Sequence, residues 1–353
     1  MQIGTADADS GELDHGFLPV TDLPTGGTER IPVTVANGRE DGPTVWVTAA
    51  IHGDEVTAFA AARDLTARLD PTELSGAVVV VPTLNPAGVR RGVRTSYYHD
   101  DDPNRYYPDA GSENYRPPRV QELVDERVFE AFTETAPADA LLDLHTAGVG
   151  SVPFAIRDRV LYGDRRDESA ARALADELDS LANAVGLPVV NEYAAEEYTG
   201  ESLQRSTAGA ALNEAGIPAL TLELGSPDVV DDDMTALGVA ACFRALDALG
   251  VTARSDDLAA PVESPVDFPV KRRVGPHADT AGLAAHHLRA GDSFEADDAI
   301  AAVTDPHGRE QGTLTADSDG YVLGRRGLAV YENDPLYSLA VRDDGDLVVP
   351  RDE

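Results

Sequence analysis

Lysine is almost absent. Lys271 is the sole example in 353 residues and every other member of the 28 basic side chains is arginine, against 63 Asp and Glu, for a formal net charge of −35. So anionic a chain lacks the cationic surface with which proteins release counterions from phosphate backbones and anionic lipid headgroups, so neither nucleic acid nor a membrane is an expected partner. A surface of Asp and Glu with little lysine self-repels in dilute buffer and is screened at molar salt, where the Debye length is ~3 Å; the composition points to a halophile's cytosol. Cysteine is equally scarce. Cys242 stands alone in an apolar run, so no internal disulfide can form and a structural metal site closed by thiolates is excluded. No apolar run approaches the ~18 residues of a membrane-spanning helix. The opening MQIGTADADSGELDHGF carries acids where a signal peptide needs positive charge, and the cytoplasm is the expected location. Hydrophobic content is nevertheless an ordinary 42%, which separates this acidity from that of a disordered chain.

At ~150 residues per domain the length suggests about two domains. From about Ile31 to Gly250, short β-rich runs alternate with stretches of helical periodicity. Strands are expected at Thr44–Ile51, Ala77–Pro82, Ala140–Leu144 and Ile217–Leu222, and helices at Glu55–Leu69, Pro118–Thr133, Asp167–Val185 and Asp233–Leu249. The strands are apolar on both faces, as strands covered by helices on both sides must be. This predicts an α/β domain over residues 1–251, with a mixed or parallel sheet flanked by helices. Acids and prolines then replace periodicity over residues 252–265, which reads as a linker. Residues 266–353 show short strands between Gly and Asp turns and no helix, predicting a small all-β domain.

His52-Gly53-Asp54-Glu55 stands at the end of a buried strand and before a helix, where an imidazole and a carboxylate three residues apart can converge on one metal ion. Mixed N and O ligands suit zinc. A third ligand is available in His145, at the end of Leu141-Leu142-Asp143-Leu144; two histidines and one glutamate leave a fourth position open, the arrangement of a hydrolytic site. Glu223, in Leu220-Thr221-Leu222-Glu223-Leu224-Gly225, ends another buried strand and supplies a candidate base, although a Glu just past a strand can also turn to solvent or cap the next element. Open α/β sheets bind ligands at the carboxyl ends of their strands, which is where His52, His145 and Glu223 all fall. Asn85 ends a strand on the same edge. Downstream, Asp102-Pro103-Asn104-Arg105 is a non-periodic loop whose guanidinium can clamp a carboxylate or stabilise an oxyanion, a task equally open to Arg90, Arg91 and Arg94.

Together the HGDE, NPAG, DPNR, DLHT and ELG segments resemble, in order, the succinylglutamate desuccinylase/aspartoacylase family of the zinc carboxypeptidase superfamily, over about Ile31 to Val341. The resemblance implies a zinc-carboxypeptidase-like α/β fold with a small C-terminal barrel-sandwich-like β domain. It implies one Zn²⁺ per chain on His52, Glu55 and His145, with Glu223 as general base and acid, and substrate binding by Asn104 and Arg105. Asp143, two residues before His145, is placed to orient that histidine from behind. Pro103 stands where the family has Leu, and the loop's Gly is displaced to Gly111; Arg205 is a candidate for a further substrate arginine. The C-terminal domain resembles a biotinyl/lipoyl-type sandwich, but the one lysine lies outside any carrier hairpin, so this domain is expected to shape the mouth of the site. His286 and His287 read as exposed or turn residues.

The implied activity is zinc-dependent hydrolysis of the amide bond of a small N-acyl amino acid. Two alternatives stay open: a zinc metallocarboxypeptidase acting on peptide or peptidoglycan fragments, and a non-catalytic binding protein on the same fold.

Overall fold

A computed structural model describes residues 1–96, 98–109, 117–163, 165–253 and 258–351. Gly111 and the middle of the 252–265 segment lie outside the described residues. A single sheet of twelve strands runs through these residues. Its centre is the parallel set Ala219–Glu223, Ala140–His145, Glu40–Ala49 and Ser75–Val81, with Phe154–Arg157 antiparallel beside the first of these. Thr28–Asn37 and Glu12–Asp22 extend one side as an antiparallel pair.

The alternation of side chains along these strands explains why they read as apolar on both faces. Val45, Val47, Leu142 and Leu222 face one core with Leu65 and Leu246, while Trp46, Val79 and Leu141 face another with Val128 and Phe132. The helices covering them are Val56–Arg68, Glu168–Ala184 and Asp232–Ala248 on the first side, and Val120–Glu130 on the second. Trp46 is fully buried and donates its indole N–H to Ala136 O at 2.9 Å, satisfying its one polar atom. Cys242 is a buried core residue of the last helix. Gly186, which follows the Glu168–Ala184 helix, has φ +74°, the left-handed conformation that ends a helix.

The helix expected at Pro118–Thr133 is an α-helix over Val120–Glu130 that continues as a π-turn through Ala131–Thr135. Beyond residue 266 there is no helix among the described residues. The C-terminal strands form a four-stranded antiparallel-paired sheet, Glu310–Thr315, Ala299–Thr304, Gly282–His286 and Ala329–Val330, packed on a core of Ile300, Leu336, Tyr337 and Leu339. Val270–His277, Pro335–Arg342, Gly320–Arg325 and Ser293–Phe294 instead continue the main sheet, through one parallel bridge, Asn191 to Lys271. The chain then returns: Val348–Pro350 pairs in parallel with Val160–Tyr162, two strands with no forecast in the sequence. Asp343 fastens this junction, 2.9 Å from Arg159, accepting from Asn191 Nδ2 at 2.7 Å and 3.6 Å from Lys271. No helix among the described residues is long and apolar enough to cross a membrane.

Candidate metal centre and catalytic cavity

Two local devices deliver His52 and Glu55 to the sheet edge. Ala50 leaves the Glu40–Ala49 strand with φ +47°, a left-handed conformation that costs a non-glycine residue ~1 kcal/mol or more and turns the chain at once into His52. This is why the strand stops two residues short of the expected Ile51. Gly53 then backs against Gly88; a Cβ on Gly53 would stand 2.1 Å from the Gly88 carbonyl carbon. Asn85 caps the short Pro86–Val89 helix by accepting from Gly88 N at 2.8 Å, and its amide donates to Ile51 O at 3.1 Å. The HGDE and NPAG segments are therefore two halves of one loop contact. On the other side, parallel pairing puts Glu223 directly opposite His145.

His52, Glu55 and His145 are all buried, and one ligand atom from each lies within 4.8 Å of the others. The Glu55 carboxylate spans the two rings, with Oε1 2.8 Å from His52 Nδ1 and Oε2 3.0 Å from His145 Nδ1. Oε2 is buried and, for all its closeness to His145 Nδ1, makes no hydrogen bond. Such an orphaned anionic oxygen beside two Nδ1 atoms is what a divalent cation would satisfy, and the residues fit one. The outer ring nitrogens are tied down: His52 Nε2 lies 3.0 Å from Asp102 Oδ1 and His145 Nε2 2.8 Å from Asp143 Oδ2. Asp143, fully buried, also accepts from the Thr48 hydroxyl at 2.7 Å. Carboxylates behind metal-facing imidazoles fix the tautomer and raise basicity.

The electrostatics follow. Burial alone would raise the Glu55 carboxyl, but the His145 and His52 imidazoles overcome it and hold it at about 2. Burial pulls both histidines down, and Glu55 together with their outer aspartates pushes them up past their ordinary value. Glu223 differs: burial, reinforced by Glu55, raises its carboxyl, and its Oε2 has no hydrogen-bond partner. A carboxyl with a raised affinity for a proton and a free oxygen is suited to taking up and handing on a proton.

These groups line a cavity of about 920 Å³ that runs from the His52/Glu55/His145 cluster to the C-terminal strands. Asn104 and Arg105 do not line it. The Asn104 side-chain oxygen is taken by Thr207, through its N–H at 2.8 Å and its hydroxyl at 3.1 Å, and Arg105 lies against its own loop, 3.8 Å from Asp102. Arg205 donates to Tyr107 O at 3.2 Å, also away from the cavity. Arg94 does reach it, 3.4 Å from Glu55 and 3.7 Å from Asp102. The sequence reading passed over Arg272, Arg273, Arg325 and Arg326, which the C-terminal strands bring to the same cavity. Two basic clusters, Lys271-Arg272-Arg273 and Arg325-Arg326, in so acidic a chain were the signal that pointed to them. His286, expected at a turn, is the last residue of a strand; half-buried, it lines the cavity and bonds Leu336 O at 3.0 Å. Neither it nor His287 joins a metal-ligand cluster among the described residues.

The model of the succinylglutamate desuccinylase/aspartoacylase catalytic domain matches residues 41–249. An N-alpha-acetyl-L-2,4-diaminobutyric acid deacetylase from Halomonas elongata is 33% identical over 158 residues, 43% of each chain. A probable aspartoacylase from Synechococcus sp. is 30% identical over 208 residues, 57% of this chain and 61% of its own. The chain thus spans about half the length of these curated relatives. Among solved structures, the product-bound ectoine utilization protein EutE (DoeB) from Ruegeria pomeroyi superposes with a TM-score of 0.70 at 22% identity, over 96% of this chain and 98% of the other. A succinylglutamate desuccinylase/aspartoacylase from Rhodobacter sphaeroides gives 0.72 at 23%, with the same coverage. At such identities the structures establish the fold: a mixed sheet with flanking helices and a C-terminal all-β region.

Proposed function

The chain belongs to the succinylglutamate desuccinylase/aspartoacylase family, and from that premise we propose that it is a zinc-dependent hydrolase cleaving the amide bond of small N-acyl amino acids. The observation that carries this reading is the convergence of His52, Glu55 and His145 on one spot, with the orphaned Glu55 oxygen, in a cavity that also holds the unpartnered Glu223 carboxyl. His52, Glu55 and His145 would hold the ion, one per chain. A zinc ion there supplies Lewis acidity and makes water nucleophilic near neutral pH.

The chain's own groups do the rest. Glu223 takes the proton of the attacking water and passes it to the departing amine nitrogen, the double duty that its raised affinity for a proton permits. Asp143, fixed by Thr48, keeps His145 turned with Nδ1 inward, and Asp102 does the same for His52. Asn104 and Arg105 act one layer back: Asn104 pins the loop through Thr207 and donates its backbone N–H to Asp102 Oδ1 at 2.9 Å, while Arg105 steadies the same carboxylate. Arg94, at the cavity wall, offers a guanidinium to the carbonyl oxygen as it gains charge.

The test is a hydrolysis screen in molar KCl against N-acetyl and N-succinyl amino acids and short peptides, with metal analysis of the same sample. About one zinc per chain, amide cleavage that a chelator abolishes and zinc restores, and no peptide cleavage are expected. Cleavage of peptides alone would replace this reading by a metallocarboxypeptidase. Zinc-loaded protein inert towards every compound would leave only the binding-protein alternative.

A further inference from the structure

The catalytic cavity reverses the sign of the chain. Arg94, Arg272, Arg273, Arg325 and Arg326 line it against Asp54, Glu55 and Glu223, in a protein whose net charge is −35. Three of these five arginines lie on C-terminal strands and a fourth, Arg326, directly follows one. Of the four, Arg272 is the one held from behind by a buried carboxylate, whereas Arg273 pairs with the exposed Asp317. Its Nη1 donates to both carboxylate oxygens of buried Glu192, at 2.8 and 3.1 Å, and its guanidinium carbon stands 5.0 Å from the centre of the Tyr193 ring. Glu192 is itself anchored, its N–H donating to Arg157 O at 2.9 Å and its Oε1 accepting from Tyr193 N at 3.1 Å. Nε and Nη2 have no hydrogen-bond partner among the described residues. Those two nitrogens form one edge of the planar guanidinium, the edge that matches the two oxygens of a carboxylate.

We propose that Arg272 anchors the carboxylate on the amine half of the substrate, so that the C-terminal β region decides which amides the centre hydrolyses. This rests on the deacylase reading above. Glu223 must come within hydrogen-bonding reach of the departing nitrogen, and in an α-amino acid the carboxylate carbon is two covalent bonds from that nitrogen. A cation lining the same cavity as Glu223 is therefore placed to take that carboxylate when the nitrogen meets Glu223. The two side chains also sense each other: Arg272 opposes the rise that burial imposes on Glu223, while Glu192, Tyr193 and Glu223 keep Arg272 charged against burial. A pre-set cation of this kind spends little side-chain entropy on binding, unlike an arginine loose on the surface.

The experiment compares each N-acyl amino acid found active in the screen with its carboxamide, in wild type, Arg272→Met, Arg272→Lys and Arg272→Met/Glu192→Gln. The double variant is included because Arg272→Met alone strands the buried Glu192 charge. Expected is a 10- to 100-fold rise in KM for the acid in the methionine variants, with kcat within a few-fold, KM for the carboxamide unchanged and partial rescue by lysine. An unchanged KM for the acid in folded, zinc-loaded double variant overturns the proposal, as does an equal loss for acid and carboxamide. Should the wild type hydrolyse no N-acyl amino acid, the deacylase reading fails by itself. The anchor is then read by titration calorimetry with L-glutamate and its α-carboxamide: tighter binding of the acid that vanishes in the double variant supports it, and no preference in the wild type overturns it.

Discussion

Replacing Glu223 by Gln isolates the proton-transfer step, because the structure says what the change leaves alone. Glutamine has the same shape, so the volume and packing of the buried site are kept. Glu223 Oε2 accepts no hydrogen bond, so none is lost there, and Glu223 is outside the His52/Glu55/His145 cluster, so the metal ligands are intact. Stability, zinc content and KM should therefore stay close to wild type, with the melting temperature moving by no more than a few degrees. What disappears is the carboxyl that parallel pairing sets directly opposite His145, whose affinity for a proton burial has raised and whose Oε2 has no hydrogen-bond partner. A positioned general base and acid contributes ~10²- to 10⁴-fold, or ~2.7–5.4 kcal/mol of barrier at 1.36 kcal/mol per decade. Melting, zinc analysis and kcat are measured on one zinc-loaded sample. A kcat near wild type would refute the role given to Glu223. A fall in stability with unchanged turnover of the folded fraction would make it a structural carboxylate.

Three further outcomes are expected. Melting temperature should rise steeply from millimolar to molar KCl, since a net charge of −35 self-repels until screened; a flat profile would count against the halophilic reading. Gly53→Ala forces a Cβ to 2.1 Å from the Gly88 carbonyl carbon and should cost ~1–3 kcal/mol in denaturant titrations together with zinc affinity, and wild-type values for both would show that the two loops part without penalty. Burial, with Glu192 adding to it, pushes the Asp158 carboxyl up to about 7, above its unfolded value, so ionising it destabilises the fold increasingly as pH climbs from ~4 to ~7. Asp158→Asn should accordingly gain stability relative to wild type across that window and not below it; a difference independent of pH would be the contrary result.

The parts of this fold that could be read from the sequence are those governed by neighbours along the chain. Runs such as Ala-Val-Val-Val-Val and Leu-Leu-Asp-Leu carry their strand preference in β-branched and apolar residues, and the helices after His52 and Asp231 announce themselves by periodicity. The three putting histidine and glutamate at the cluster were legible for a related reason. A strand end in an open α/β sheet is a defined place in space, so a polar residue just past a buried strand already has an address. Ala50 shows the limit: nothing in its type announces a positive φ, which here is imposed by the loops packed on either side of it.

Arg272 shows why the rest was hidden. It bonds Glu192 across 80 residues and lines the same cavity as Glu223, 49 residues away, through a junction where Val189–Asn191 and Val270–His277 share one bridge, Asn191 to Lys271. No local pattern encodes such a meeting; it depends on Asp343, Arg159 and Asn191 fastening the junction from behind. The near-absence of lysine bears on this point. With Lys271 the sole lysine, nearly every basic side chain is a planar fork, so an arginine on a solvated face and one lining a cavity look alike in sequence. Only the surroundings tell them apart: Arg63 lies two-thirds exposed beside Asp64, whereas Arg272 is gripped by a buried carboxylate with one edge left free. A specificity built this way can change with the junction while the metal centre stays the same, because the ligands come from the first half of the chain and the anchor from the second.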